Sequence, residues 1–133
     1  MSRTNKQVIA DFAAALFRGD LDLVKQLMHP DFFIHEAESL PYGGVHRGLE
    51  GILTVFKGIN SSWANVSNNV LEIHGQPNDS QFFMMADLSG TSHKTGRSFK
   101  ISVLERYVVE DGKLKEIHPH YFDTKAVWDV DQD

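Results

Sequence analysis

Val8, Ile9, Phe12, Ala13, Leu16 and Phe17 recur three or four positions apart and form one stripe of a helix, with Lys6, Asp11 and Arg18 elsewhere on it. Gly19 is placed to end this helix, and Asp20 to cap a second, short one whose buried face is Leu21, Val24, Leu27 and Met28 before Pro30 stops it. Residues 31–35 read as a short strand. A third helix starts near Gly48, with Leu49, Ile52, Leu53 and Phe56 on one face and Trp63 near or just past its end. The period then changes. Residues 66–74, 81–91, 98–109 and 114–122 read as strands, separated by Pro77-Asn78-Asp79, Lys94-Thr95-Gly96 and Glu110-Asp111-Gly112. Turns this short predict an antiparallel meander. The fold class expected is therefore α+β, with three N-terminal helices covering one face of a strongly curved antiparallel sheet. Such a sheet leaves an opening toward the helices, where a ligand would enter.

Composition narrows the picture. With 133 residues, 41% of them hydrophobic, the chain is expected to form a single domain over 1–133, with an acidic tail at 129–133 as a solvated end. It has no cysteine, which removes disulfides, thiolate zinc sites and a cysteine nucleophile. A net charge of −5 with scattered basic residues offers no footprint for nucleic acid. Residues 1–6 are polar and no apolar run is long enough to span a bilayer, so no membrane association and a cytoplasmic location are expected.

The stretch FIHEAESLPYGGVHRG, residues 33–48, concentrates polar groups where the first strand leaves the core. Glu36, partly desolvated there, would have a raised pKa suited to abstracting a proton beside a carbonyl, as a general base. Glu38 reads as rim. His118 and His120 are two apart on a strand and share a face, a metal-like spacing without the further ligands a site needs, so neither metal nor organic cofactor is expected. The phase of the 98–109 strand stays open between two sets. Phe99, Ile101, Val103, Glu105, Tyr107 and Val109 form one face; Lys100, Ser102, Leu104, Arg106 and Val108 form the other. Hydrophobicity puts the first set inside, and a bulge would reconcile the two alternatives. An inward Glu105 needs a partner, for which His118 and His120 on the neighbouring strand are the natural candidates. Tyr42, Trp63 and Tyr121 would supply flat wall with polar tips, suited to a small apolar molecule with a few oxygens. Phe82, Phe83, Met84 and Met85 are apolar on both faces of one strand, which predicts a homodimer through the sheet.

The order of elements, together with Phe17-Arg18-Gly19-Asp20, Gly43-Gly44-Val45-His46-Arg47-Gly48 and Glu110-Asp111-Gly112-Lys113-Leu114, resembles the nuclear transport factor 2-like cone fold in its SnoaL-like and ketosteroid-isomerase-like branch. The resemblance puts Glu36 at the general-base position of the isomerases. It puts Phe12 and Leu104 where those enzymes carry oxyanion donors, and so makes them pocket wall. In SnoaL-like cyclases a histidine and an aspartate act from the last two strands; the nearest positions here are Leu104 or Glu105, and Pro119. The fold hosts isomerases, cyclases, epoxide hydrolases, dehydratases and binding modules. The activity implied is general acid–base catalysis of isomerisation, cyclisation or hydrolysis on a small apolar carbonyl or epoxide compound. The alternative is a non-catalytic binding or dimerisation module.

Overall fold

In the computed structural model, which describes residues 2–133, the chain runs α1 (Asn5–Phe17), α2 (Leu21–Leu27), β1 (Met28–Glu36), β2 (Gly44–Arg47), α3 (Gly48–Ser62), β3 (Trp63–His74), β4 (Gln81–Ser92), β5 (Ser98–Glu110), β6 (Lys113–Tyr121) and α4 (Thr124–Asp129). Thr4 caps α1 in a reciprocal box with Gln7, and Asp20 caps α2 through the Leu23 N–H. The second helix ends one residue earlier than its apolar spacing implied, and Met28 already belongs to β1. Trp63 closes α3 and opens β3 in extended conformation.

All six strands form one curved, unclosed sheet in the order β2-β1-β6-β5-β4-β3. β3 to β6 are the expected antiparallel meander. Two features correct the expectation of a purely antiparallel sheet under three helices. First, β1 lies parallel to β6, because the chain reaches β6 from the far side of the meander. Second, the C-terminus is not a solvated tail. It forms a fourth helix, α4, with Val127 fully buried and Val130 at 9% exposure, and beyond it the Ser92 hydroxyl donates to the Asp131 carboxylate. The acidic residues hid an apolar pair one helical turn apart.

Phe12, Phe32, Ile52, Val55, Trp63, Phe82 and Leu114 centre one continuous core between the helices and the inner sheet face. On β4 the alternation is clean: Phe82, Met84 and Ala86 are buried, while Phe83 and Met85 point outward and are exposed in the single chain. No helix among the described residues is long and apolar enough to cross a membrane.

Helix α3 explains its own glycines. Gly51 and Gly58 lie two turns apart on the side that meets residues 42–46. A Cβ at Gly58 would come within 2.8 Å of the Tyr42 Cβ, so the missing side chain is what seats Tyr42 against the helix. Alanine gains about 0.8–1 kcal/mol of helix propensity over glycine, but overpacking a rigid contact costs about 1–3 kcal/mol. Gly58→Ala is therefore expected to lower stability in urea unfolding; a raised midpoint would show that Tyr42 moves aside freely.

Candidate acid–base site

Strand alternation puts Phe32, Ile34 and Glu36 of β1 inside and Phe33 and His35 outside. The ladder between β1 and β6 ends at the Ile34–Ile117 pair. Beyond it His35 and Glu36 pair only with Val45 and Gly44 of β2, while Pro119 and Tyr121 pair only with Glu105 and Val103 of β5. The two strands part, and the gap is a cleft of about 300 Å³ lined by His35, Glu36, Ala37, His118, Pro119, His120, Tyr121 and Thr124.

Glu36 is 4% exposed. The Tyr121 hydroxyl donates to its Oε1 at 3.1 Å, and the Tyr42 and Tyr121 hydroxyls lie 2.8 Å apart. With the Tyr121 proton committed to Glu36, the Tyr42 proton completes a chain Tyr42–Tyr121–Glu36. Burial pushes the Glu36 carboxyl up to about 8, the charge of Glu105 adds to the rise, and the bonds from Tyr121 and the Ala37 backbone offset only part of it. The same burial, with Glu36 beside it, raises Tyr121, so the hydroxyl stays protonated as a donor. Two edge-to-face contacts fix the aromatic end: Tyr42 on Trp63 at 5.3 Å between ring centroids, and Trp63 on Phe99 at 4.9 Å.

The phase of β5 resolves as hydrophobicity predicted. Phe99, Val103, Tyr107 and Val109 are buried, and their face shares Ile117, Pro119 and Tyr121 of β6. A bulge sits where Val108 pairs with Glu116 and Val109 with Leu114, with Lys115 as the extra residue, and it lies past the wall positions and leaves their register unchanged. Glu105 does face inward, but its partner is Tyr107, whose hydroxyl donates to Oε2 at 2.7 Å. Although Glu105 keeps some accessible surface, the protein around its carboxyl desolvates it and raises its pKa, as expected for a group lining the interior of the cone.

Several expected placements are corrected. His118 and His120 pair across β5 with Arg106 and Leu104, on the outer face, so neither meets Glu105. His118 instead lies 2.8 Å from Glu116 and edge-on to Phe33. Both histidines still border the cleft, because it opens through the sheet. Leu104 is 39% exposed on that outer face and is no inner wall, since the bulge at Lys115 of β6 lies beyond it and leaves the apolar phase intact. Phe12 packs on Phe32 in the core, 5.8 Å between centroids, and does not line the cleft. Arg47 lies over the Phe33 ring and Glu38 pairs with His35 at 2.9 Å.

Among the described residues, one group brings three metal-type ligands together: His29, Glu110 and Asp111. The Asp31 N–H donates to His29 Nδ1 at 3.0 Å, which puts the ring proton on Nε2, 3.1 Å from Glu110. Lys115 also holds Glu110, at 3.0 Å. Both imidazole nitrogens and the carboxylate are already engaged, so the cluster reads as a clasp between β1 and the β5–β6 turn.

Residues 9–117 match the SnoaL-like domain family. The chain belongs to that family. No curated protein sequence matches it. Among solved structures, this SnoaL-like chain is similar to a nuclear transport factor 2-like protein from Burkholderia thailandensis, with 26% identity, 98% of this chain and 99% of the other covered, and a TM-score of 0.87. TerC, crystallised with polyporic acid, shares 19% identity over 97% and 98% of the two chains at a TM-score of 0.80. IdmH from Streptomyces antibioticus, proposed to be a polyketide cyclase, shares 21% identity over 95% and 97% at 0.70. At such identities the last two likenesses concern the fold.

The relay of Tyr42 and Tyr121 escaped sequence reasoning, which had both only as wall; their spacing of 79 positions carries no local signal. The raised carboxyl has a consequence for stability. Between about pH 4.5 and 8 the native Glu36 holds a proton that the unfolded chain has released, so its contribution is complete below 4.5 and is lost as pH rises through 8. Glu36→Gln removes this titration. The variant is expected to gain on the wild type from pH 5 to pH 9, by up to about 4 kcal/mol in urea unfolding. A difference independent of pH would contradict the raised pKa.

Proposed function

We propose that this SnoaL-like protein is an acid–base enzyme of the cyclase or isomerase kind, acting on a small apolar carbonyl compound with Glu36 as the proton-transferring group. The observation that carries the reading is a nearly inaccessible carboxyl, raised to about 8, that stands in the wall of a cleft with a tyrosine hydroxyl on one oxygen. At neutral pH such a group is mostly protonated and serves first as an acid. Its proton passes to the carbonyl oxygen of the substrate as the new bond or double bond forms. The carboxylate left behind accepts the Tyr121 hydrogen bond and then takes the proton released from the carbon next to the carbonyl, which restores the neutral acid. The substrate best suited has a carbon already acidified by flanking carbonyl groups. The assignment proposed for IdmH and the oxygenated ligand of TerC agree with this class.

One observation favours a second reading, binding without turnover. Phe12 and Leu104 offer no hydrogen-bond donor, and one is packed in the core while the other faces outward. A panel of cyclic ketones, 1,3-diketones and epoxides separates the two. As an acid, Glu36 is expected to support turnover at pH 6–7 that falls through about pH 8, and Glu36→Gln to lose about 10²–10⁴-fold. Equal rates for the two proteins would remove Glu36 from the mechanism. Binding without turnover in both would favour the second reading.

A further inference from the structure

Where β1 parts from β6, three histidines border the cleft on the outer face of the sheet. His35 lies on β1, and His118 and His120 stand two apart on β6. The sequence alone offers the β6 pair no third ligand, and the β1–β6 pairing brings one. Because Ile34 pairs with Ile117 in parallel, His35 comes level with His118 on the neighbouring strand, and their rings stand 6.4 Å apart between centroids. Residues two apart on a strand are separated by about 6.6 Å and neighbouring strands by about 4.8 Å, so the three side chains rise from the corners of a small triangle. An ion above its centre is within reach of all three imidazoles.

Two of the rings are already backed as ligands are. Glu38 lies 2.9 Å from His35 Nε2, and Glu116 lies 2.8 Å from His118 Nε2. A carboxylate only accepts, so each Nε2 carries the ring proton and each Nδ1 keeps a free lone pair. Metal-binding imidazoles are held by carboxylates in this way, which fixes the tautomer and makes the ligating nitrogen more basic. His120 is exposed and, among the described residues, makes no side-chain hydrogen bond. As the rings stand, their nitrogens do not all meet. The torsion that turns a histidine ring is broad, so aiming them needs no change of backbone. The surrounding charge favours a cation. Glu38 and Glu116 stand behind the rings, while the nearby guanidiniums are engaged elsewhere: Arg106 donates to Gln81 on β4, on the far side of β5 from β6, and Arg47 lies over Phe33.

We infer that His35, His118 and His120 form a zinc site at the outer mouth of the cleft, with the fourth position of the ion open. Three imidazole nitrogens suit a borderline divalent ion such as zinc, whereas magnesium and calcium take oxygen ligands. Glu36 points to the opposite face of β1, so the site does not rest on its proposed role.

Isothermal titration of zinc into the untagged full chain, stripped beforehand with a chelator, tests this. Wild type is expected to bind one zinc ion per chain with a Kd of about 1 µM or tighter, and to bind no magnesium. His35→Ala and His120→Ala are each expected to weaken zinc at least about tenfold. His120 is exposed, so its variant keeps the fold, which circular dichroism checks. Asp111→Asn, in the His29 clasp, and Glu36→Gln are expected to bind zinc as wild type does, so a failure of the proposed acid chemistry would leave this result intact. No zinc bound by wild type at about 100 µM, unchanged affinity in either histidine variant, or loss of binding in Asp111→Asn or Glu36→Gln would overturn the site.

Discussion

The parting of β1 from β6 after the Ile34–Ile117 pair is the feature on which the site depends. These are parallel neighbours in a sheet whose other pairs are antiparallel, and they hold a ladder only over part of their length. Past it each strand keeps its outer neighbour, β2 or β5, and neither has a partner across the gap. Glu36 sits on the inner face one step beyond the divergence. Had the ladder continued, its carboxyl would be sealed in the core, where proton transfer to a substrate has no route. Had β1 ended at Ile34, the carboxyl would be in water with an ordinary pKa. The partial ladder yields both burial and access.

Burial alone would make Glu36 a liability, because an unpartnered carboxyl in the core is costly in either protonation state. The Tyr42–Tyr121 chain supplies a donor that remains a donor, since both phenols are raised well beyond neutral pH by the same desolvation. Tyr121 comes from the end of β6, Tyr42 from the loop before β2, and the seat of Tyr42 from Gly58 in α3. Three elements distant in sequence thus converge on one proton. This coupling makes the geometry of the carboxyl a property of the whole cone rather than of its own loop.

Most of the fold was legible because its elements are locally consistent: the stripe of α1, the capping residue Asp20, and the four strands with short turns. Glu36 was legible as a group at a strand exit. What escaped depended on long-range placement. The parallel β1–β6 pairing has no signature in either strand alone. The sequence left two phases open for β5, and the apolar one prevailed because its alternative would bury Lys100 and Arg106. The histidines were paired with Glu105 by proximity on neighbouring strands, but a strand's period of two puts them on the opposite face. At the C-terminus, the three acidic residues Asp129, Asp131 and Asp133 outweighed Val127 and Val130, although those two are what the core receives.

Charge sets the remaining limit on chemistry. On the inner side of the cone Glu36 and Glu105 are both raised, by desolvation first, and each has a tyrosine as its hydrogen-bond partner; neither has a cation. An enzyme that must create a full enolate needs a donor strong enough to hold the developing charge, and neither Phe12, packed in the core, nor Leu104, facing outward, supplies one. A neutral acid avoids that demand, because it delivers a proton to the oxygen as charge would otherwise accumulate there. Under the proposed acid role, the arrangement suits substrates that bring their own acidified carbon. It is poorly matched to the unactivated ketones that a strong base and an oxyanion hole would serve.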